Sequence, residues 1–322
     1  MSSASTLSVR VARKQMEAID ICTFELVAEA GGPLPAFSAG SHVDVHLPGG
    51  LTRQYSLCND PTESHRYLIG VLRDPASRGG SRAMHEQVMQ GQVLQISSPN
   101  NHFPLAHEAR RHLLLAGGIG VTPILCMAER LANIGADFEM HYCTRSRERT
   151  AFHQRIVDSR FSAQVHFHFD DGVAGQRLDI PALLNPPANG VHLYVCGPKG
   201  FMDAVLNTAR AKGWPEAQLH YEFFAAAVAK SDSDASFEVQ LASSGKIVVV
   251  PGDKTVVQAL ADAGIDVQVS CEQGVCGTCL TRVLEGVPDH KDSYLTPEEQ
   301  AANDQFTPCC SRSRTPRLVL DL

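Results

Sequence analysis

The chain has 322 residues, 43% of them hydrophobic and 20% charged, with a formal net charge of −7. At about 150 residues per domain this length suits two or three globular units, and the composition excludes collagen, coiled coil and wholesale disorder. No apolar run approaches the roughly 18 residues that span a bilayer, Met1–Asp20 holds five charged residues and no apolar signal core, and no Lys/Arg block offers a footprint for nucleic acid or an anionic membrane. The expectation is a cytoplasmic protein with protein or small-molecule partners.

From Leu7 to about Leu105 the apolar period is two. Val43, Val45 and Leu47 alternate with His42, Asp44 and His46, short runs follow at Leu68–Leu72 and Val93–Ile96, and Gly/Pro clusters separate them. The pattern predicts an antiparallel β-barrel or sandwich over 1–107, interrupted by one helix near Ser81–Met89. Arg53-Gln54-Tyr55-Ser56-Leu57 follows a strand and Arg78-Gly79-Gly80-Ser81 opens the helix. Alone these read as an edge strand and a helix entry; together they offer an Arg, hydroxyls and a ring suited to a flavin phosphate and its isoalloxazine.

From His112 to about Phe224 apolar strands alternate with helices: Leu113–Ala116, a helix over Pro123–Ile134, then strands Phe138–Cys143, Val165–Phe169 and Leu193–Cys196. This predicts an α/β unit over 108–225 built on a parallel sheet. Gly117-Gly118-Ile119-Gly120-Val121-Thr122-Pro123 reads as a glycine turn with Thr122 as N-cap and Pro123 as first helical residue, a seat for a pyrophosphate that lacks the G-x-G-x-x-G fingerprint. Cys196-Gly197-Pro198 supplies a second strand-end turn, where open α/β sheets bind ligands. His166 and His168 read as one solvated strand face, with metal binding the lesser reading. Arg145, Arg147 and Arg149 suit a nucleotide phosphate or solvent equally, so NADH and NADPH both stay open.

Residues 226–236 read as a linker ending in Lys230-Ser231-Asp232-Ser233-Asp234. Beyond it Phe237, Val239 and Leu241 alternate, Ser243-Ser244-Gly245 turns, Ile247–Val250 returns, a helix near Val256–Ala263 stops at Gly264, and Arg317–Leu322 closes. The expected fold for 237–322 is an α+β β-grasp. Its 12 acids against 7 bases leave −5 of the total charge there, a surface suited to a basic partner.

Six of the ten cysteines, Cys22, Cys58, Cys126, Cys143, Cys196 and Cys310, lack ligand spacing, and most are expected as buried small apolar residues. The others form Cys271-Glu-Gln-Gly-Val-Cys276-Gly-Thr-Cys279 with Cys309 thirty residues on, the C-x4-C-x2-C spacing of a plant-type [2Fe–2S] site. Structural zinc would show paired C-x2-C knuckles, and one such pair occurs. Gly274 and Gly277 let the loop wrap closely. Cys309 and its neighbour Cys310 both remain open as fourth ligand on spacing alone.

In this order R-Q-Y-S-L, R-G-G-S, G-G-I-G-V-T-P, C-G-P and C-E-Q-G-V-C-G-T-C, with Asp289-His290-Lys291-Asp292 and the closing Leu318–Leu322, the chain resembles the phthalate dioxygenase reductase and vanillate O-demethylase reductase family from end to end. The resemblance implies an FMN-binding barrel, an NADH-binding α/β domain and a C-terminal ferredoxin domain. It carries FMN contacts onto Arg53, Gln54, Tyr55, Ser56, Gly70, Val71, Leu72, Gly79, Gly80, Ser81 and Thr122, and sets Phe223 and Phe224 near the ring. It also implies pyridine-nucleotide contacts at Gly117, Gly118, Gly120, Cys196, Gly197 and Pro198, with Ser56, Thr122 and Cys196 as the catalytic set. The Ser-Arg segment after the fourth cysteine favours Cys309, joining Cys271, Cys276 and Cys279 as metal ligands. The family's usual Asp-His-Arg-Asp has Lys291 in place of the Arg.

These sites make joint sense, since a hydride donor delivers two electrons and a [2Fe–2S] cluster accepts one. The expected path is NADH to FMN to cluster to a separate Rieske-type oxygenase, with a cytochrome P450 or another soluble carrier as the alternative acceptor. A redox sensor is disfavoured by the complete nucleotide site. No two-histidine, one-carboxylate site is expected in this chain, and a monomer is the default.

Overall fold

A computed structural model of the protein describes residues 6–48, 50–75, 79–173, 175–187, 189–224, 235–269, 274, 277–292 and 294–322. The chain divides into two compact units, Met1–Phe224 and Ala225–Leu322.

In the first unit the period-two segments form an antiparallel sheet in the order Thr52–Ser56, Ser41–His46, Val93–Ser97, Thr6–Ala18, Ile21–Ala28, Tyr67–Leu72, with the short Asn100–Asn101 strand beside Ser41–His46. A bridge between Leu57 and Ile69 links the two ends and closes a barrel. The alternation has its expected cause: Val9, Val11, Val43, Val45, Phe24 and Leu26 fill the interior. Arg53–Ser56 forms part of a strand rather than following one, and the expected helix spans Gly80–Glu86.

The rest of this unit is a parallel sheet, ordered Val165–Phe169, Asp137–Thr144, Arg111–Gly117, Val191–Cys196, Leu219–Glu222. Helix Val121–Asn133 covers one face and helix Lys199–Ala211 the other, each burying the apolar side chains expected of a doubly wound sheet. Barrel and sheet share one core: Ile21, Cys58 and Phe103 pack with Leu114, Met140 and Tyr194. Polar ties reinforce the join. The Asn133 side-chain amide donates to Asp60 at 2.8 and 2.9 Å, and Phe152 N–H donates to Glu17 at 2.9 Å.

In the second unit the sheet order is Ile247–Val250, Phe237–Leu241, Arg317–Leu320, Thr281–Glu285, Gln305–Phe306, with Phe237–Leu241 parallel to Arg317–Leu320 and the other pairs antiparallel. Helix Val256–Asp262 lays Val256, Ala259 and Leu260 on this sheet, capped by a reciprocal Thr255–Gln258 pair. Gly264 stops it at φ +76°. This is the expected β-grasp. Residues 226–234 of the expected linker lie outside the described residues. Among the described residues no helix is long and apolar enough to cross a membrane.

Candidate functional site

Three strand ends of the first unit converge. Ser56, at the end of a barrel strand, is buried and donates its hydroxyl to Glu222 Oε2 at 3.4 Å. Glu222 pairs in register with Cys196 on the neighbouring strand, so the two side chains leave the same sheet face. Packing around the Glu222 carboxyl pushes it up to about 7, against the opposing pull of the Ser56 hydrogen bond, and burial pushes the Cys196 thiol well above its ordinary range. A neutral thiol and a carboxyl that titrates near neutrality thus sit together at the carboxyl end of a parallel sheet. Along the sequence Glu222 is an isolated acid at a strand end, and its one local signal is its place directly before Phe223 and Phe224.

The glycine turn approaches the same point. A Cβ on Gly120 would lie 2.3 Å from the Cys196 carbonyl oxygen, so only glycine lets the two strand-end turns touch backbone to backbone. Gly117 and Gly197 meet in the same way. Thr122 is not the N-cap. A short 3-10 turn over Gly118–Gly120 runs straight into the helix, which begins at Val121 with Gly120 as its cap, and Thr122 Oγ1 donates back to the Ile119 carbonyl at 3.1 Å. Pro123 falls at the third helical position, where its missing N–H is still one the helix does not use. Thr122 remains buried, its methyl facing Gly70.

On the barrel side the stem of Arg53 lies across Gly80: an added Cβ there would be 2.5 Å from Arg53 Cγ. R-Q-Y-S-L and G-G-S are therefore in contact, a guanidinium beside bare backbone, which fits an anionic group such as a flavin phosphate. Arg78 lies outside the described residues. Burial pushes the Tyr55 phenol well up, keeping it a neutral ring. Gln54 donates its amide to His42 at 3.2 Å, and Ser81 Oγ accepts from Asp74 N–H at 3.2 Å. Gly70, Val71 and Leu72 end the strand beside them. Phe223 packs edge-on to Tyr221, and Phe224 is exposed. Of the three loop arginines, Arg149 is committed to Asp20 at 2.9 Å, leaving Arg145 and Arg147 exposed.

In the second unit Cys279, Cys309 and Cys310 are buried together against Val257, Val267 and Val269. Cys271 and Cys276 lie outside the described residues. Two remote segments thus deliver buried sulfur ligands to one apolar place, the donor chemistry a [2Fe–2S] cluster takes. Cys310 Sγ lies 3.2 Å from Thr307 Oγ1 and 3.8 Å from Ser311 Oγ. Arg312, buried beyond it, donates to the carbonyls of Lys254, Ala235 and Pro251 and stacks on Phe237, so it locks the cysteine segment to the sheet.

The expectation that the chain lacks a two-histidine, one-carboxylate cluster is corrected. Glu139, His141 and His166 bring ligand atoms within 4.8 Å of one another. The solvated face expected for His166 and His168 is also only half right: His166 is half-exposed, while both nitrogens of His168 are hydrogen-bonded. The pairing of adjacent parallel strands, invisible in the sequence, sets these side chains side by side.

A barrel fused to a doubly wound parallel sheet, followed by a thiol-bearing β-grasp unit, defines a modular redox enzyme of the reductase class. A family model for the 2Fe-2S iron-sulfur cluster binding domain matches residues 239–314, and one for the N-terminal domain of dimethylamine monooxygenase subunit DmmA-like proteins matches residues 97–219. Vanillate O-demethylase oxidoreductase of Pseudomonas putida is 59% identical over 97% of this chain and 98% of its own length. Its counterpart from Pseudomonas sp. strain HR199 is 55% identical over 98% of this chain and 100% of its own. The solved structure of phthalate dioxygenase reductase, described as modular for electron transfer from pyridine nucleotides to [2Fe–2S], aligns with a TM-score of 0.80 at 37% identity over 98% of each chain. The chain belongs to the vanillate O-demethylase oxidoreductase and phthalate dioxygenase reductase family.

Proposed function

We propose that this chain is the NADH-dependent reductase component of a Rieske-type aromatic oxygenase system, passing electrons through FMN and a [2Fe–2S] cluster to a separate oxygenase protein. The observation that carries this reading is the meeting of Ser56, Cys196 and Glu222 at the seam of barrel and nucleotide sheet. When bound there, a flavin accepts a hydride and releases electrons singly, which matches a two-electron donor to a one-electron cluster.

The chain's residues supply position and electrostatics. Arg53 with Gly79 and Gly80 would hold the flavin phosphate, and Tyr55, Gln54, Ser56, Ser81, Thr122 and the Gly70–Leu72 backbone would contact the rest of the cofactor. Gly117, Gly118, Gly120 and the Cys196–Pro198 turn seat the dinucleotide. Ser56 and Cys196 would border the place of hydride transfer, Glu222 would hold or release a proton beside them, and Phe223 and Phe224 would lie close to the ring. Cys271, Cys276, Cys279 and Cys309 hold the cluster. We read the protein as a cytoplasmic monomer.

Anaerobic titration of the purified protein with NADH tests the reading. Bleaching of the flavin together with a rhombic reduced-cluster EPR signal is the expected result. A flavin that bleaches with no cluster signal counts against it.

A further inference from the structure

On the sheet face that carries helix Lys199–Ala211, the two outermost strands on the opposite side leave a polar cluster. Strands Asp137–Thr144 and Val165–Phe169 run parallel with His141 opposite His166 and Cys143 opposite His168. Glu139, His141, His166 and His168 therefore project to one side. Glu139 Oε1 lies 3.2 Å from His141 Nε2 and 3.2 Å from His166 Nε2. Its other oxygen is held by Arg111 at 2.9 Å, which fixes the carboxylate plane and leaves Oε1 facing the two rings.

The hydrogen-bond chain behind His141 fixes where its lone pair points. The Gln176 backbone carbonyl can only accept, so His168 Nδ1, 3.0 Å away, carries the hydrogen. In the neutral ring His168 Nε2 is then an acceptor, and His141 Nδ1, 2.9 Å from it, must be the donor. The neutral His141 ring is left with a bare lone pair on Nε2, aimed at a carboxylate oxygen at 3.2 Å. Two acceptors face each other at a buried ring, an arrangement that a cation between them satisfies. The spacing agrees: for tetrahedral ligands at 2.0–2.1 Å, neighbouring ligand atoms are about 3.3 Å apart.

We propose that Glu139, His141 and His166 form a divalent transition-metal site of the kind zinc occupies, with a solvent-facing fourth position. His168 and the Gln176 carbonyl orient His141 as the carboxylate or carbonyl partners of metal-bound histidines do. The site pins the edge strand Val165–Phe169, and the segment after it that carries Gln176, to the inner sheet. It is a clamp on the nucleotide-binding part of the chain, independent of the cysteines of the second unit.

The test uses tag-free holoprotein with its flavin and its cluster iron intact, dialysed against Zn2+ near neutral pH, with bound metal counted by mass spectrometry. One zinc per chain is expected in addition to the cluster iron, with a zinc-dependent rise in melting temperature. His166→Ala and Glu139→Gln are each expected to weaken zinc binding at least about tenfold and abolish the temperature rise, with flavin and cluster absorbance unchanged; His168→Gln, acting through His141, is expected to weaken it about 10- to 100-fold. Glu139→Gln keeps the side chain's shape and stands in should His166→Ala fold poorly. Absence of zinc uptake overturns the proposal. So does uptake that survives both substitutions, which would place the metal on the cysteines.

Discussion

Ser56 and Glu222, 166 positions apart in the sequence, are joined by a hydrogen bond of 3.4 Å that crosses from the barrel to the last strand of the parallel sheet. It sets a carboxyl with a pKa raised to about 7 beside the Cys196 thiol.

NADH-driven flavin reduction is therefore expected to change with pH around about 7 in the wild type. Glu222→Gln should flatten that profile, and Ser56→Ala should slow the step roughly five- to tenfold, the value of one hydrogen bond of about 1 kcal/mol. Stopped-flow bleaching across this range decides it. Since the folded pKa lies above the unfolded one, the carboxyl favours the fold at low pH and loses that contribution as pH rises through about 7, so Glu222→Gln is expected to be the more stable protein above neutrality. A profile unchanged by the substitution would remove Glu222 from the chemistry.

His112 gives the opposite sign. It is buried at 4% exposure beside His192 and His220, and burial pushes its pKa down to about 4 from 6.5. The unfolded chain binds the proton more readily, so stability is retained above about pH 6.5 and lost as pH falls toward 4. The loss is on the order of 3 kcal/mol. His112→Phe is expected to shift the acid-unfolding midpoint to lower pH in a titration followed by circular dichroism.

Gly120→Ala places a methyl 2.3 Å from the Cys196 carbonyl although the backbone there is ordinary, φ −60°. Overpacking of this kind costs about 1–3 kcal/mol, and the two turns must part, so NADH affinity is expected to fall with stability. Gly118→Ala meets open space but carries φ +52°, and its cost is about 1 kcal/mol of backbone strain. Calorimetry with NADH titration separates the two; equal effects would show that the contact of the turns is unimportant.

Cys309→Ser is expected to abolish the visible absorbance of the cluster, and Cys310→Ser to preserve it, because Cys310 Sγ already rests against Thr307 and Ser311. Cys276→Ser should remove cluster absorbance and leave NADH bleaching of the flavin intact. Cluster loss in the Cys310 variant would reassign the fourth ligand.

The sequence by itself determined the elements whose physics is local. Period-two alternation at Val43–Leu47 and Phe237–Leu241, strand-to-helix alternation after His112, the stop at Gly264 and the spacing of Cys271, Cys276 and Cys279 each depend on neighbours a few residues away, and the architecture followed from them. Local rules also misplaced Thr122: a hydroxyl before a proline reads as a cap, but the 3-10 turn over Gly118–Gly120 had already started the helix. What only the tertiary structure decided is which distant side chains share a place. The register of Val165–Phe169 on Asp137–Thr144 sets His166 opposite His141 beside Glu139, and the core shared by barrel and parallel sheet carries Ser56 to Glu222. Such neighbours come from strand pairing and a shared core, and no periodicity along the chain encodes them.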